Sequence, residues 1–155
     1  MKSYTLSDSR IRDLRSELEN RFGTDPLPDD ALLRFVEYED GVITIDGEAR
    51  LYYDEDKLYP LIPLLLDDNF LKQIVVDMGA VEPVVSGADV MAPGVTDADK
   101  DIQESDVVSV VDEDNGKPIG VAVATTSGED IVSSTNGVAA QSQHYVDDAI
   151  WDTFF

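Results

Sequence analysis

The chain contains 155 residues, of which 33 are acidic and 11 are basic, and its net charge at pH 7 is -22. Such an excess of carboxylates repels itself in dilute salt but is screened within about 3 Å at 1 M salt, so the composition predicts a protein from a halophile's cytosol. The chain has no cysteine, which excludes a disulfide framework and a thiolate zinc site, and its 43% hydrophobic content argues against a disordered acidic protein.

The first predicted element is a helix that follows the capping residues Ser7 to Ser9 and ends at Gly23. Its apolar side chains recur every three or four residues, as a helix with one buried face requires. Four arginines border this apolar stripe on both sides and do not merge into one basic face. The apolar residues are Ile11, Leu14, Leu18 and Phe22, and the arginines are Arg10, Arg12, Arg15 and Arg21.

Three strands are predicted next, at residues 32–38, 42–45 and 49–53, because polar and apolar residues partly alternate around two Asp-Gly turn signals. Pro60 and Pro63 argue against a long helix in the apolar segment that follows, although a helical turn can start at Pro63. This segment is also too short to cross a bilayer, and the N-terminus lacks the apolar core of a signal peptide. We therefore expect a cytoplasmic protein.

Residues 76–95 carry the most informative pattern in the chain. Two Gly-Ala steps and a Pro-Gly step separate short apolar runs, and we expect special backbone angles at Gly79, Gly87 and Gly94. The pattern predicts a short helix from Gly79 to Ser86, with Pro83 in its first turn and Gly87 as its stop. A glycine at a helix start lets a sugar-phosphate approach closely while unpaired amides face it.

The remaining segments predict a small barrel of short strands. Residues 107–111 and 119–123 read as a hairpin around an Asn-Gly turn or a slightly longer loop, and residues 129–131 read as a helical turn. Residues 149–151 are predicted to be the closing strand, with Trp151 filling the core.

No catalytic or metal site is predicted. The single histidine, His144, lies near Ser142 and Asp147 in sequence, but this spacing signals neither a triad nor an oxyanion hole, so we expect a structural role for it. The acidic clusters lack the calcium-loop pattern, and the glycines do not complete a phosphate-binding fingerprint. We expect a protein that is not an enzyme and uses no cofactor.

Residues 76–95 resemble the opening of a PUA domain, the RNA-binding barrel named after pseudouridine synthases and archaeosine transglycosylases. The resemblance continues through Gly137, His144, Tyr145, Asp148 and Trp151. Residues 58–65 resemble the companion domain of the translation-machinery-associated proteins related to multiple copies in T-cell lymphoma and to ligatin, and point to an archaeal member. The resemblance implies an α+β protein with a pre-PUA α/β domain at 1–72 and a PUA β-pseudobarrel at 73–155.

The same resemblance implies a non-enzymatic RNA-binding protein of the translation machinery. It would bind the tRNA 3′ region or the small ribosomal subunit in initiation, reinitiation or recycling, and its N-terminal domain could dock a second translation factor. The implied RNA-binding residues lie along the short helix, the strand after it and the last strand. They are Gly79, Ala80, Gly87, Ala88, Asp89, Met91, Pro93, Gly94 and Tyr145.

One position departs from the family pattern, because Met78 stands where relatives often carry lysine. Residues 73–155 contain two basic and sixteen acidic residues, a net charge of -14. Neutralisation of phosphates can therefore contribute little, and we expect shape, backbone hydrogen bonds and stacking to provide the affinity. Two alternatives stay open at this point: an accessory factor in RNA modification, and a protein-interaction adaptor with weak RNA affinity.

Overall fold

A computed structural model of the chain describes all 155 residues, which form two compact units, Met1–Phe70 and Leu71–Phe155. The N-terminal unit consists of a long helix and a five-stranded sheet in which consecutive strands pair antiparallel. Its elements are β1 (Ser3–Thr5), α1 (Asp8–Phe22), β2 (Leu33–Val36), β3 (Val42–Ile45), β4 (Glu48–Asp54), β5 (Lys57–Pro60) and α2 (Ile62–Asp67).

Helix α1 confirms the sequence prediction at both ends. The Ser7 hydroxyl accepts a hydrogen bond from the Arg10 N–H at 3.2 Å, and Gly23 ends the helix with a left-handed φ of 77°. Leu14 and Leu18 are buried in the core between α1 and the sheet. Burial of each leucine side chain contributes about 1.5–3 kcal/mol, so this face fixes the helix on the sheet.

The sheet contains two strands, β1 and β5, that the predicted three-stranded meander lacks. β1 has only three residues, all of them exposed, so it shows no apolar alternation that a sequence pattern can detect. β5 ends at Pro60, which is tolerated because β5 lies at the sheet edge, where a missing N–H breaks no ladder. The strands predicted around the Asp-Gly turns are confirmed as β2, β3 and β4.

The C-terminal unit is a six-stranded mixed sheet that forms a pseudobarrel with small helices. The strand order is β7-β11-β10-β9-β6-β8, and only the β6–β9 pair is parallel. Its elements are β6 (Lys72–Val76), α3 (Met78–Val85), β7 (Val90–Met91), a 3-10 turn (Ala92–Gly94), β8 (Val95–Ala98), β9 (Val107–Asp112), β10 (Pro118–Ala124), α4 (Gly128–Ser133), β11 (Val138–Tyr145) and α5 (Ala149–Phe154).

The predicted closing strand at residues 149–151 is wrong, because these residues open helix α5 and the last strand is β11. The Asp148 carboxylate caps the helix by accepting a hydrogen bond from the Trp151 N–H at 2.8 Å. Trp151 is half-buried on this helix, with its ring centroid 6.4 Å from that of His144. It therefore does not fill the barrel core. An apolar run of three residues cannot distinguish a strand from a helical turn.

Helix α3 also differs from its prediction. It begins at Met78, one residue before Gly79, and Pro83 lies in its second turn, not its first. Of the three glycines expected to need special backbone angles, only Gly87 has a positive φ, at 97°. Gly94 is required by close packing instead, since a Cβ there would lie 3.0 Å from the Ala80 Cβ. None of the five α-helices is both long and apolar enough to span a bilayer.

Candidate functional site

A shallow groove of about 350 Å³ lies between α3 and the segment formed by β7 and the 3-10 turn. We refer to it as the α3 groove. It brings together six of the nine RNA-binding residues implied by the resemblance, and its other lining residues are Asp77, Pro83, Val84 and Val90. The six are Gly79, Ala80, Asp89, Met91, Pro93 and Gly94.

The other three implied residues do not line the groove. Gly87 and Ala88 follow the C-terminal end of α3, where the Ala88 N–H donates to the Pro83 carbonyl at 3.0 Å. A Cβ at Gly87 would lie 2.7 Å from Cζ of Tyr145, so the Tyr145 ring packs directly on this turn. These three residues therefore hold the end of α3 against β11.

The N–H of Gly79 is the backbone group of α3 that is open to a ligand. The first four N–H groups of a helix have no partner within the helix, and here three of them are bonded to other protein atoms. The fourth, the N–H of Gly79, has no hydrogen-bond partner in the chain. The three bonds are Asp77 N–H to Gly94 O at 2.9 Å, Met78 N–H to Glu113 Oε1 at 3.2 Å and Ala80 N–H to Asp77 Oδ1 at 2.9 Å.

Carboxylates occupy the place that a phosphate would take at this helix start. A helix N-terminus attracts anions, but the side chains of Asp77 and Glu113 already accept from its amides. The third nearby carboxylate, Asp89, accepts from the Ser142 N–H at 2.8 Å. No lysine or arginine lines the groove. The helix start therefore differs from the set of unpaired amides expected from the sequence, and its charge repels phosphate.

Large apolar side chains are exposed around the groove, and none of the residues that line it is a lysine or an arginine. Met91 is 48% exposed and Met78 is 44% exposed, and Met91 pairs across the sheet with Val138, which is 40% exposed. Methionine sulfur makes favourable contacts with aromatic rings. The groove thus offers apolar contacts and one free backbone N–H, that of Gly79, to an uncharged, flat ligand such as a nucleobase.

His144 is fully buried and fixes the end of β11, which confirms the structural role expected for it. Its Nδ1 lies 2.7 Å from Oδ2 of Asp148, and Asp148 also accepts from the N–H groups of Tyr145 and Trp151. Burial of the carboxyl opposes its ionisation, but the hydrogen bond and charge of His144, with these two amides, outweigh burial and hold the pKa of Asp148 below its ordinary value.

The pseudobarrel and the α3 groove together define a PUA domain, and residues 72–146 match the family model of that description. Over 97% of its length the chain is 38% identical to an uncharacterized protein of Methanocaldococcus jannaschii, of which it covers 96%. It is 30% identical to Malignant T-cell-amplified sequence 1 of Danio rerio, over 94% of this chain and 88% of that protein. The chain belongs to the family of PUA-domain proteins that includes Malignant T-cell-amplified sequence 1.

A fission-yeast member of the family carries a name that refers to translation. Translation machinery-associated protein 20 of Schizosaccharomyces pombe is 28% identical over 82% of this chain, which covers 75% of that protein. The crystal structure of a hypothetical protein from Pyrococcus horikoshii has a TM-score of 0.87 and 29% identity, with 99% of this chain and 100% of that one covered. The predicted family is confirmed, whereas the halophilic origin stays a prediction.

Sequence reasoning alone missed two residues that shape the groove entrance. Asp77 directly precedes α3 and is an N-cap residue by type, so a local signal for it was present. Glu113 accepts from Met78 although it lies 35 residues further along the chain. No local pattern indicates a contact at that separation.

Proposed function

We propose that this protein binds an unpaired segment of RNA, of tRNA or ribosomal RNA, through the α3 groove, and acts at the small ribosomal subunit in initiation, reinitiation or recycling. The PUA domain and the relatives named above support an RNA-binding, translation-associated role. We assign the PUA function to residues 73–155 and the docking of a second translation factor to residues 1–72. The assignment includes no catalytic step and no cofactor, and it places the protein in the cytoplasm.

The observation that carries this proposal is the free N–H of Gly79 in a groove without cations. Proteins read RNA sequence mostly in single strands, whose bases are splayed out, stacked and hydrogen-bonded at their edges. The N–H of Gly79 suits an acceptor on a base or ribose, and Met91 provides an apolar surface beside it. A tRNA 3′ end is such an unpaired segment, which is why we assign it as the ligand.

The test is co-sedimentation of the full chain with archaeal small ribosomal subunits and tRNA in molar potassium chloride. Met91→Glu adds a carboxylate at an exposed groove position, and Val132→Glu makes the same change at a 51% exposed position on α4, outside the groove. We expect Met91→Glu to lose tRNA and subunit binding while Val132→Glu retains both. Binding of neither RNA by the wild-type chain would reject the proposal in favour of an adaptor that binds only proteins.

A further inference from the structure

The edge of the N-terminal sheet carries an exposed stack of aromatic rings. The β1–β2 register places Tyr4 opposite Phe35, and their rings stack with centroids 5.3 Å apart and an angle of 23° between planes. The Phe35 ring packs directly against Gly41, which leaves no room for a Cβ there. This contact holds the Phe35 ring in place. The stack therefore begins at the β2–β3 turn and runs outward to Tyr4.

The outer face of Tyr4 is the open end of this stack. Neighbouring strands lie about 4.8 Å apart, close to the 5.3 Å between the ring centroids, so the rings stack along the direction in which strands follow one another. Because β1 is the edge strand, the place that a further ring would take beyond Tyr4 lies in solvent. Tyr4 is 41% exposed, and a further flat ring can stack there.

Cations lie on both faces of the same edge, because Arg34 neighbours Phe35 in β2 and therefore points to the face opposite the ring stack. The Arg34 guanidinium crosses β1 and donates to Thr5 Oγ1 at 2.8 Å and to Ser3 Oγ at 3.0 Å, and Arg10 lies 5.9 Å from the Phe35 ring centroid. Lys2 precedes β1 and is exposed. None of the three forms an ion pair, since the salt bridges of the chain are Arg15–Asp25, Arg50–Glu48, Lys72–Asp106 and His144–Asp148.

We propose that this surface, formed by Lys2, Tyr4, Arg10 and Arg34 and called here the β1 edge surface, is a second contact for single-stranded RNA. The inference rests on the proposed RNA-binding function. Stacking of a base on an aromatic side chain next to cations that follow the backbone is the usual way of holding a single strand. One base stacks on Tyr4, Lys2 and Arg10 contact phosphates near the ring stack, and Arg34 contacts the RNA strand where it passes to the opposite face of β1.

RNA fits this surface better than a partner β-strand does. Exposed sheet edges can pair with another strand, but β1 has three residues and offers few backbone hydrogen bonds to such a strand. Two carboxylates, Asp13 and Glu17, line the same depression as Arg10, and of these Glu17 accepts from the Tyr53 hydroxyl at 3.3 Å. The cations without ion pairs favour a polyanion as the partner.

The experiment measures the affinity of the full chain for a short fluorescein-labelled oligouridylate by fluorescence anisotropy across a range of salt. We expect Tyr4→Ala to weaken binding at least about fivefold, the lower end for base–aromatic stacking, and Tyr4→Phe to bind within about twofold of wild type. Arg10→Gln should reduce the steepness of the salt dependence by about 0.7 for each phosphate that is no longer neutralised. Arg12→Gln is the matched control. Arg12 is exposed on α1, as Arg10 is, but the two arginines line different depressions of the surface.

Ultraviolet cross-linking of the same oligonucleotide should label the tryptic peptide of residues 3–10, which contains Tyr4. Equal affinities for wild type, Tyr4→Ala and Arg10→Gln, with no label in that peptide, would overturn the inference. If Met91→Glu still weakens binding when those variants do not, the proposed function of the α3 groove stands without the β1 edge surface. Thermal melting checks whether Tyr4→Ala is folded. If Tyr4→Ala is unfolded, the Arg10→Gln variant, at an exposed position, tests the surface independently.

Discussion

Gly87 and Tyr145 pack so closely that no side chain fits between them. A Cβ on Gly87 would lie 2.7 Å from Cζ and 3.0 Å from Oη of Tyr145, and Gly87 also has a φ of 97°. This contact joins the end of α3 to the end of β11. It therefore holds one wall of the α3 groove in place from outside the groove.

Gly87→Ala should destabilise the protein through both the backbone angle and the clash. A positive φ costs a residue with a Cβ about 1–2 kcal/mol, and overpacking against Tyr145 adds about 1–3 kcal/mol. The control is Gly137→Ala, where φ is 86° but no atom lies within 4 Å of the added Cβ. Chemical denaturation should give a larger loss of stability for Gly87→Ala, and the difference isolates the contact with Tyr145. Equal losses would show that the ring moves aside freely.

Gly79→Glu should leave the fold intact and weaken RNA binding. Gly79 is exposed, and its nearest atom to an added Cβ is Asp77 Oδ1 at 3.4 Å, an ordinary contact. A carboxylate in the first turn of a helix is favourable by about 0.3–1 kcal/mol, and repulsion from Asp77 and Glu113 offsets this gain, so the free energy of unfolding should change little. In the groove the same side chain covers the free N–H of residue 79 and repels phosphates. We expect RNA affinity to fall by about tenfold or more, equivalent to about 1.4 kcal/mol.

The comparison for Gly79→Glu is Val132→Glu, which adds the same charge to α4 outside the groove. RNA affinities are measured by anisotropy, and folding is checked by denaturation. If both variants bind RNA as wild type does, the α3 groove is not the binding surface. If both weaken binding equally, only net charge matters.

The parts of the fold that follow local rules could be predicted from the sequence. Helix α1 has a cap at Ser7, a regular apolar stripe and a stop at Gly23, and all three signals act within the helix itself. Residues 149–151 were assigned wrongly because their fate depends on Asp148, whose carboxylate caps α5 while it is held by His144. Both contacts span at most four residues, and aspartate is an N-cap residue by type, so a local signal for this helix was present beside the ambiguous apolar run.

The residues around the α3 groove were indicated by the resemblance to PUA domains, but its chemistry was not. The sequence suggested that the amides at the start of α3 are open, whereas Glu113 binds the Met78 N–H from another part of the chain. Gly94 was expected for its backbone angle and is instead required by its contact with Ala80. Contacts between segments far apart in sequence made both differences.

Met78→Lys should strengthen RNA binding and make it depend more on salt. Met78 is 44% exposed at the start of α3, so a lysine can replace it without disturbing the core. One added phosphate contact should steepen the slope of log affinity against log salt by about 0.7 for single-stranded RNA. Val132→Lys provides the control for a general gain of positive charge. An unchanged slope in Met78→Lys would mean that no phosphate passes the start of α3.

The Asp148 carboxylate should stabilise the C-terminal end of the barrel at neutral pH, and this stabilisation should be lost in acid. The pKa of Asp148 is lower in the folded chain than its ordinary value. In the interval between the folded and unfolded pKa values the unfolded state therefore binds more protons, and stability rises with pH. The contribution of Asp148 is complete above its unfolded pKa of about 3.9 and is lost as the pH falls through the folded pKa.

Asp148→Asn should therefore lower the free energy of unfolding at neutral pH and flatten its dependence on pH below about 4. Removal of the charged hydrogen bond to His144 suggests a loss of about 2 kcal/mol at neutral pH, because asparagine caps a helix about as well as aspartate does. Asp152→Asn is the matched control, since Asp152 is exposed in the first turn of the same helix. Denaturation followed by the fluorescence of Trp151, the only tryptophan, compares the three proteins from acid to neutral pH. Identical acid profiles for wild type and Asp148→Asn would show that the pair formed by His144 and Asp148 does not set the acid sensitivity of this end of the barrel.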